Sequence, residues 1–398
     1  MQLLQEWENK YYNQLDIWST PSRISPLSDV LVSPKFEFRF RALLDQKKIS
    51  YWVERRNIHK LIREQYKGIS RRNKREASTS KQRSDGGFDV TSYNRYDEIV
   101  NWMRYLARKH PKIVRLFNMG KTYEGRDLIG VKLGTYNESN EKPSLWLDSG
   151  IHAREWIAPA TSIHVIDTLI SSYGNDSTIT GLMRKFNWYI LPVANPDGYE
   201  FSMNERRLWR KTRSRNPNVS SVCVGVDGNR NWGFHWGEVG SSNYPCSNVY
   251  PGPKAFSEPE TQAQSRFINL IPQLQMYMSL HSFGQIWLAP WGYKTRKPDN
   301  FETQKTAALL ALKALKQLHG TKYVFGSIAD LMYPASGTSI DYMQHKGVPY
   351  IFGVELRPQD GRHTFGFLYP SRYIKPTGDE MMEALKALAQ HIIQVRRL

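Results

Sequence analysis

The chain has 398 residues, 40% hydrophobic and 23% charged, ordinary values for a folded protein with a sizeable core. They exclude long disorder, collagen and a small disulfide scaffold, and no apolar run approaches the roughly 18 residues of a membrane-spanning helix. The net charge of +18 first suggests a polyanionic partner, but half of it, +9, falls in residues 1–83, with 18 basic and 9 acidic side chains.

Chain order begins with Met1-Gln2-Leu3-Leu4-Gln5-Glu6-Trp7, which lacks the cationic start and apolar stretch of a secretory signal. Residues 1–67 read as a small α+β unit. Helices are predicted over Leu3–Tyr12, Phe36–Leu44 and Ile58–Tyr66, and strands over Asp29–Val32 and Ile49–Val53. From Arg55 to Arg83 there are 11 basic and 2 acidic residues, clustered as Arg71-Arg72-Asn73-Lys74-Arg75 and Lys81-Gln82-Arg83. Such a run reads as a solvated linker, and as a sequence that a trypsin-like protease cuts, rather than as a nucleic-acid surface. From residue 94 strands and helices alternate. Buried strands are predicted at Leu145–Leu147, Trp188–Val193, Gln275–Leu280 and Tyr350–Leu356. Ser257-Glu258-Pro259-Glu260 and Thr377-Gly378-Asp379-Glu380 read as capping boxes. Thr306–Leu318 reads as a helix stopped at Gly320, and the last helix aligns Leu385, Leu388, Ile392 and Val395 on one stripe. The alternation argues for an α/β fold with a largely parallel sheet sandwiched by helices, and places the site at the strands' carboxyl ends.

One such end carries His152-Ala153-Arg154-Glu155, with a His and a Glu three residues apart. Another carries His281. Imidazole and carboxylate donors brought to one crevice suit zinc, whose catalytic sites take three protein ligands and leave one position open. Alone, the His-Glu pair is better read as a surface hydrogen-bonded pair and His281 as a satisfied strand-end histidine. Their company changes the reading: Trp209-Arg210-Lys211-Thr212-Arg213, Val226-Asp227-Gly228-Asn229-Arg230-Asn231-Trp232, Tyr333-Pro334-Ala335-Ser336-Gly337 and Phe352-Gly353-Val354-Glu355-Leu356-Arg357. A glutamate at the end of an apolar strand is costly unless paired or working. Cys223 and Cys246, 23 positions apart, are either free thiols or one disulfide, worth roughly 3 kcal/mol if closed. Sequons stand at Asn137, Asn175 and Asn218.

Taken together, these segments resemble the metallocarboxypeptidase family of the pancreatic A/B type, over nearly the whole chain. His-x-x-Glu, Arg-Lys-Thr-Arg, Asn-Arg-Asn-Trp, His-Ser, Ala-Ser-Gly and Glu-Leu-Arg stand in the family's order and near its spacing. The resemblance implies a ferredoxin-like propeptide domain at 1–67, apparently without its first strand, an activation linker at 68–83 and a catalytic domain at 84–398. It implies one Zn²⁺ per chain on His152, Glu155 and His281, with Glu355 as general base and Arg210 meeting the oxyanion. Arg230 would grip the substrate's terminal carboxylate, since a guanidinium pairs with it bidentately, helped by Asn229 and a Tyr333 that swings in. Arg154 would face substrate further upstream. Ile340 would form the pocket floor, with Gly292 and Gly353 as roomy walls. An apolar floor cannot stabilise a buried Lys or Arg, so hydrophobic and aromatic C-terminal residues are expected. Cys223 and Cys246 match a disulfide of the family. The implied partners are peptide C-termini, the propeptide as intramolecular inhibitor and an activating trypsin-like protease; the chain is expected to be secreted and monomeric, with no membrane partner. Ser84, after Arg83, is the expected mature start, with Arg72 and Arg75 as alternatives. Phe283 replaces a usual Tyr, and the loop Arg357–Phe367 is slightly long.

Overall fold

The computed structural model describes residues 2–66, 87–136, 142–359 and 365–397. The basic linker, with Arg72, Arg75, Arg83 and Ser84, lies outside them, as does Asn137.

The N-terminal unit holds α1 (Gln2–Lys10), β1 (Leu15–Ile17), β2 (Val30–Val32), α2 (Glu37–Gln46) and α3 (residues 59–66). β1 and β2 pair antiparallel, and Trp7, Leu15, Phe36, Phe40 and Leu44 form a small core beneath them. The predicted strand Ile49–Val53 is a correction. Residues 49–53 join no sheet, and Ile49, Tyr51, Trp52 and Val53 are all 37% exposed or more. Their β-branched and aromatic composition fits a pleated surface, but propensity without a ladder does not make a strand.

The larger unit runs α4 (Tyr96–Lys109), β3 (Val114–Lys121), β4 (Asp127–Leu133), β5 (Ser144–Ser149), α5 (Ile157–Ser172), α6 (Ser177–Lys185), β6 (Asn187–Leu191) and α7 (Pro196–Asn204). It continues with α8 (Pro259–Ile268), β7 (Leu274–Gly284), β8 (Ile286–Ala289), α9 (Phe301–His319), β9 (Val324–Ser327), α10 (Ile328–Leu331), α11 (Ser339–His345), β10 (Tyr350–Gln359) and α12 (Ile374–Arg396). Eight strands form one mixed sheet in the order β3-β4-β6-β5-β7-β10-β8-β9, and four of its seven pairings are parallel (β5–β6, β5–β7, β7–β10, β8–β9).

The pleat sorts the core. Leu145 and Leu147, Met276, Met278 and Leu280, and Tyr350, Phe352 and Val354 face one cluster, under α4, α5, α9 and α12. Their alternating neighbours Trp146, Tyr277 and Ile351 face a second cluster, which also holds Ile340. With a side-chain period of two, His281 and Glu355 fall on the second face, at the carboxyl ends of the parallel strands.

Both capping boxes are corrections. Helix α8 starts on Pro259, whose fixed φ suits a first position; Ser257 instead donates to Glu258 Oε1 and accepts from Asn231, and buried Glu260 accepts from Tyr123 N. Helix α12 starts at Ile374, three residues before Thr377, and Glu380 is 1% exposed, paired with Arg357 and His319. Tertiary partners took the side chains that the local pattern had assigned to caps. On the stripe of α12, Leu385, Leu388 and Ile392 are buried while Val395 is 53% exposed.

Candidate active site

Gly150, at φ 71°, turns the chain out of β5, and His152–Glu155 fold into a tight turn closed by Glu155 N donating to His152 O. His281 lies within β7, which continues three residues past it, rather than beyond the strand's end. The three side chains meet: His152 Nδ1 is 2.8 Å from Glu155 Oε1, and His281 Nδ1 is 3.1 Å from both Glu155 Oε2 and His152 Nδ1. All three are buried, and their candidate ligand atoms lie within 4.8 Å of one another.

The outer nitrogens decide what this cluster can hold. His152 Nε2 is 3.0 Å from Asp227 Oδ1, a carboxylate that can only accept, so Nε2 carries the hydrogen. His281 Nε2 is 3.3 Å from Ser279 Oγ, which spends its own hydrogen on Asp148 Oδ1 at 2.6 Å. Both Nδ1 atoms are thereby left as bare lone pairs facing each other across 3.1 Å beside a carboxylate. That arrangement is repulsive unless a cation sits among them. Burial alone would lower the His281 pKa, yet the Glu155 carboxylate overrides it and the net shift is upward, the same demand for positive charge. Two imidazoles, each oriented by a buried acceptor behind it, and a carboxylate that accepts from Ser282 N fit zinc.

Glu355 stands in register with His281 on the adjacent parallel strand. Glu355 lines the cleft and is partly exposed, yet burial pushes its pKa up, with His281 opposing and Glu155 reinforcing the shift. Arg210 Nη2 pairs with Asp227 Oδ2 at 2.9 Å, and its Nη1 lies 3.8 Å from Glu155 Oε1. Arg230 is 3% exposed and donates from Nη2 to the Tyr333 hydroxyl at 3.2 Å. Asn229 spends its side-chain oxygen on Ser339 N. Cys223 and Cys246 are joined as a disulfide.

Ile340, at the start of α11, forms with Ile286, Leu288, Ile328, Ala335 and Gly353 the apolar side of the cleft, a cavity of about 180 Å³ that also takes in His152, Glu155, His281 and Glu355. A Cβ on Gly353 would find Ile340 Cδ1 at 3.7 Å, ordinary contact, so this glycine widens the cavity. Gly292 is a correction. It does not line the cavity, and a Cβ there would strike Ala335 O at 2.6 Å, so close packing of two loops requires the glycine.

Sequence reasoning gave no role to Asp227, Asp148 or Ser279. Burial would raise the Asp227 pKa, but Arg210, His152 and Arg230 hold it well below the usual carboxylate range. Its only signal was an acid inside the Asp-Gly-Asn-Arg turn. The N-terminal unit also reaches the cleft. Asp16 Oδ1 pairs with Arg154 Nη1 at 2.8 Å, Asn248 Nδ2 donates to both Glu8 and Asp16, and Trp18 packs on Phe367 at 5.4 Å. Tyr66 and Gln65, on α3, donate to Met203 O and Tyr369 O.

Fold and donor set define a metal-dependent hydrolytic centre at the carboxyl ends of the central strands of a mixed α/β sheet, capped by its own N-terminal unit. Residues 99–384 match the zinc carboxypeptidase family and residues 1–65 the carboxypeptidase activation peptide. The chain is 36% identical to carboxypeptidase A2 of Rattus norvegicus over 390 residues, covering 98% of this chain and 90% of the relative. It is 40% identical over 306 residues to carboxypeptidase B of Astacus astacus, covering 76% of this chain and 98% of that one. The crystal structure of carboxypeptidase A from Helicoverpa armigera superposes with a TM-score of 0.87 at 28% identity, covering 100% and 95% of the two chains. The chain therefore belongs to the zinc carboxypeptidase family. It is a metallocarboxypeptidase with its activation peptide attached, a zymogen.

Proposed function

We propose that the protein removes hydrophobic and aromatic residues from peptide C-termini, using one zinc ion held by His152, Glu155 and His281. The observation that carries this reading is the pair of bare Nδ1 atoms facing Glu155, with Glu355 one strand away. Zinc, when bound, polarises a carbonyl and brings the pKa of a ligating water to about 7. Glu355 takes the proton of the attacking water and delivers it to the leaving amine. Arg210, held by Asp227, donates to the oxyanion; a preorganised donor of this kind is worth on the order of 10²–10³ in rate. Arg230, Asn229 and Tyr333 hold the substrate's terminal carboxylate, and Arg154 meets residues upstream. Ile340, 4% exposed, favours apolar side chains, and the room beside Gly353 admits Trp. A B-type relative stands among the similar proteins, but an uncharged floor gives a substrate Lys or Arg no counter-ion. Cleavage after Arg83 by a trypsin-like protease frees the enzyme, and the disulfide supports export to an oxidising compartment.

The test is hydrolysis of blocked dipeptides ending in Phe or Arg, before and after trypsin and with and without a chelator. Phe is released only by the trypsin-treated, metal-loaded enzyme; preference for Arg would overturn the role of Ile340. A second expected result concerns Asp227. Asp227→Asn leaves His152 without the acceptor that fixes its tautomer, and zinc affinity falls about 10–100-fold in a chelator competition. Unchanged affinity would reduce that contact to packing.

A further inference from the structure

The hairpin of β3 and β4 pairs its charges in two opposite ways. At one end Lys121 stands across from Asp127, and their side chains meet at 2.8 Å. Toward the other end Arg115 stands across from Lys132, two cations in direct cross-strand register. Like charges so placed lower the stability of a sheet. Lys142, two residues before β5, adds a third cation and donates to Thr135 O and, at 2.6 Å, to Thr135 Oγ1. The Tyr136 ring serves two of them, with its centre 3.9 Å from the Arg115 guanidinium carbon and 5.6 Å from Lys132 Nζ. Tyr189 lies 5.4 Å from the same ammonium. Lys132 and Lys142 are half-buried, and burial, then the neighbouring cation, lowers the pKa of each. Among the described residues no carboxylate pairs with any of the three.

Cations gathered at a cost in stability, without an anion of their own, attract one from outside. We propose that Arg115, Lys132 and Lys142 form a binding surface for a linear sulfated glycan. Arg115 offers a planar fork to the oxygens of a sulfate, and the two ammonium groups stand beside it as point charges. The disulfide argues for an oxidising compartment outside the cytosol, where the linear polyanions are sulfated glycans rather than nucleic acids. Single-stranded nucleic acid would also want open aromatic faces for its bases, and here the Tyr136 and Tyr189 rings are engaged by the cations. The surface lies at the amino end of β5, whereas His152 follows its carboxyl end, so the six residues of the strand, roughly 20 Å, separate glycan from metal centre. A bound glycan would therefore hold the enzyme in place and leave the cleft open.

The test measures binding of a heparin hexasaccharide, as probe, to the trypsin-activated enzyme at several salt concentrations. The enzyme is first separated from its peptide, so that the basic run within residues 55–83 adds no charge of its own. Arg115→Gln with Lys132→Gln weakens binding about tenfold, and the slope of log affinity against log salt becomes shallower by about one per cation removed. Lys313→Gln with Lys316→Gln makes the same charge change on exposed positions of α9, at the far edge of the sheet. That pair leaves binding nearly unchanged, because salt confines its influence to about 10 Å. Equal losses from the two pairs would reduce the interaction to net charge and overturn the site. A desulfated hexasaccharide does not bind. An RNA oligomer that binds as tightly as the sulfated probe would overturn the glycan in favour of nucleic acid. Arg115→Gln also raises the melting temperature by relieving the cross-strand repulsion, and every variant keeps its hydrolysis of a Phe-terminated dipeptide, so lost binding is not lost folding.

Discussion

Glu355→Gln gives a folded protein that binds zinc stoichiometrically and has lost on the order of 10²–10⁴ in kcat, the usual worth of a positioned proton-transfer group. The substitution keeps shape and removes only the capacity to accept a proton. Glu355 is not among the three cluster donors, so metal content should not move. Nor is the fold at risk, because β10 is held on both sides, parallel to β7 and antiparallel to β8. The check is kcat on a Phe-terminated peptide beside zinc content and a melting curve. A variant keeping a tenth or more of wild-type kcat with full zinc would falsify the assignment of Glu355 as base.

Ile340→Asp should invert the side-chain preference. In the wild type an incoming Arg or Lys would lose its hydration against a floor of Ile340, Leu288 and Ile286, at a cost of several kcal/mol. A carboxylate at position 340 supplies the missing partner and at the same time penalises Phe. The Arg/Phe ratio of kcat/KM then rises by about 10³-fold or more, since several kcal/mol act at about 1.4 kcal/mol per decade. The neighbouring Asp341 does not take that place: it does not line the cavity, and its carboxylate accepts from Gly292 N and Tyr293 N. A second acid beside it lowers stability, so the ratio of two substrates in one sample is the safe readout. A ratio that stays in favour of Phe would show that the floor lies elsewhere.

The α/β alternation was legible because the central strands are apolar on both faces, as in Leu145–Leu147 and Tyr350–Phe352. His152, Glu155 and His281 became legible only through the motifs that accompany them, whereas Glu355 drew notice by itself as a carboxylate ending an apolar strand. What stayed hidden depended on contacts across the fold. Asp227 meets His152 across 75 positions, and Ser279 donates to Asp148 across 131. No local pattern encodes such pairings. The failed capping boxes and the unformed strand at Ile49–Val53 have the same cause: local propensity is weak against tertiary partners. Gly292 shows the converse, since a glycine that looks like space in the sequence is, in the fold, the place where two loops touch.

The in-register pairing of Glu355 with His281 sets how this enzyme can vary. The backbones of Glu355 and His281 are separated by one spacing of the hydrogen-bonded ladder, about 4.8 Å between neighbouring strands, which cannot drift without shearing the sheet. Tyr333, Phe367 and Asp16, by contrast, sit on a loop, a turn and a detachable segment. Changes there can retune what is cleaved and when, while the reactive pair keeps its separation. Chemistry is set by the lattice of the sheet, and selectivity by parts that can be exchanged around it.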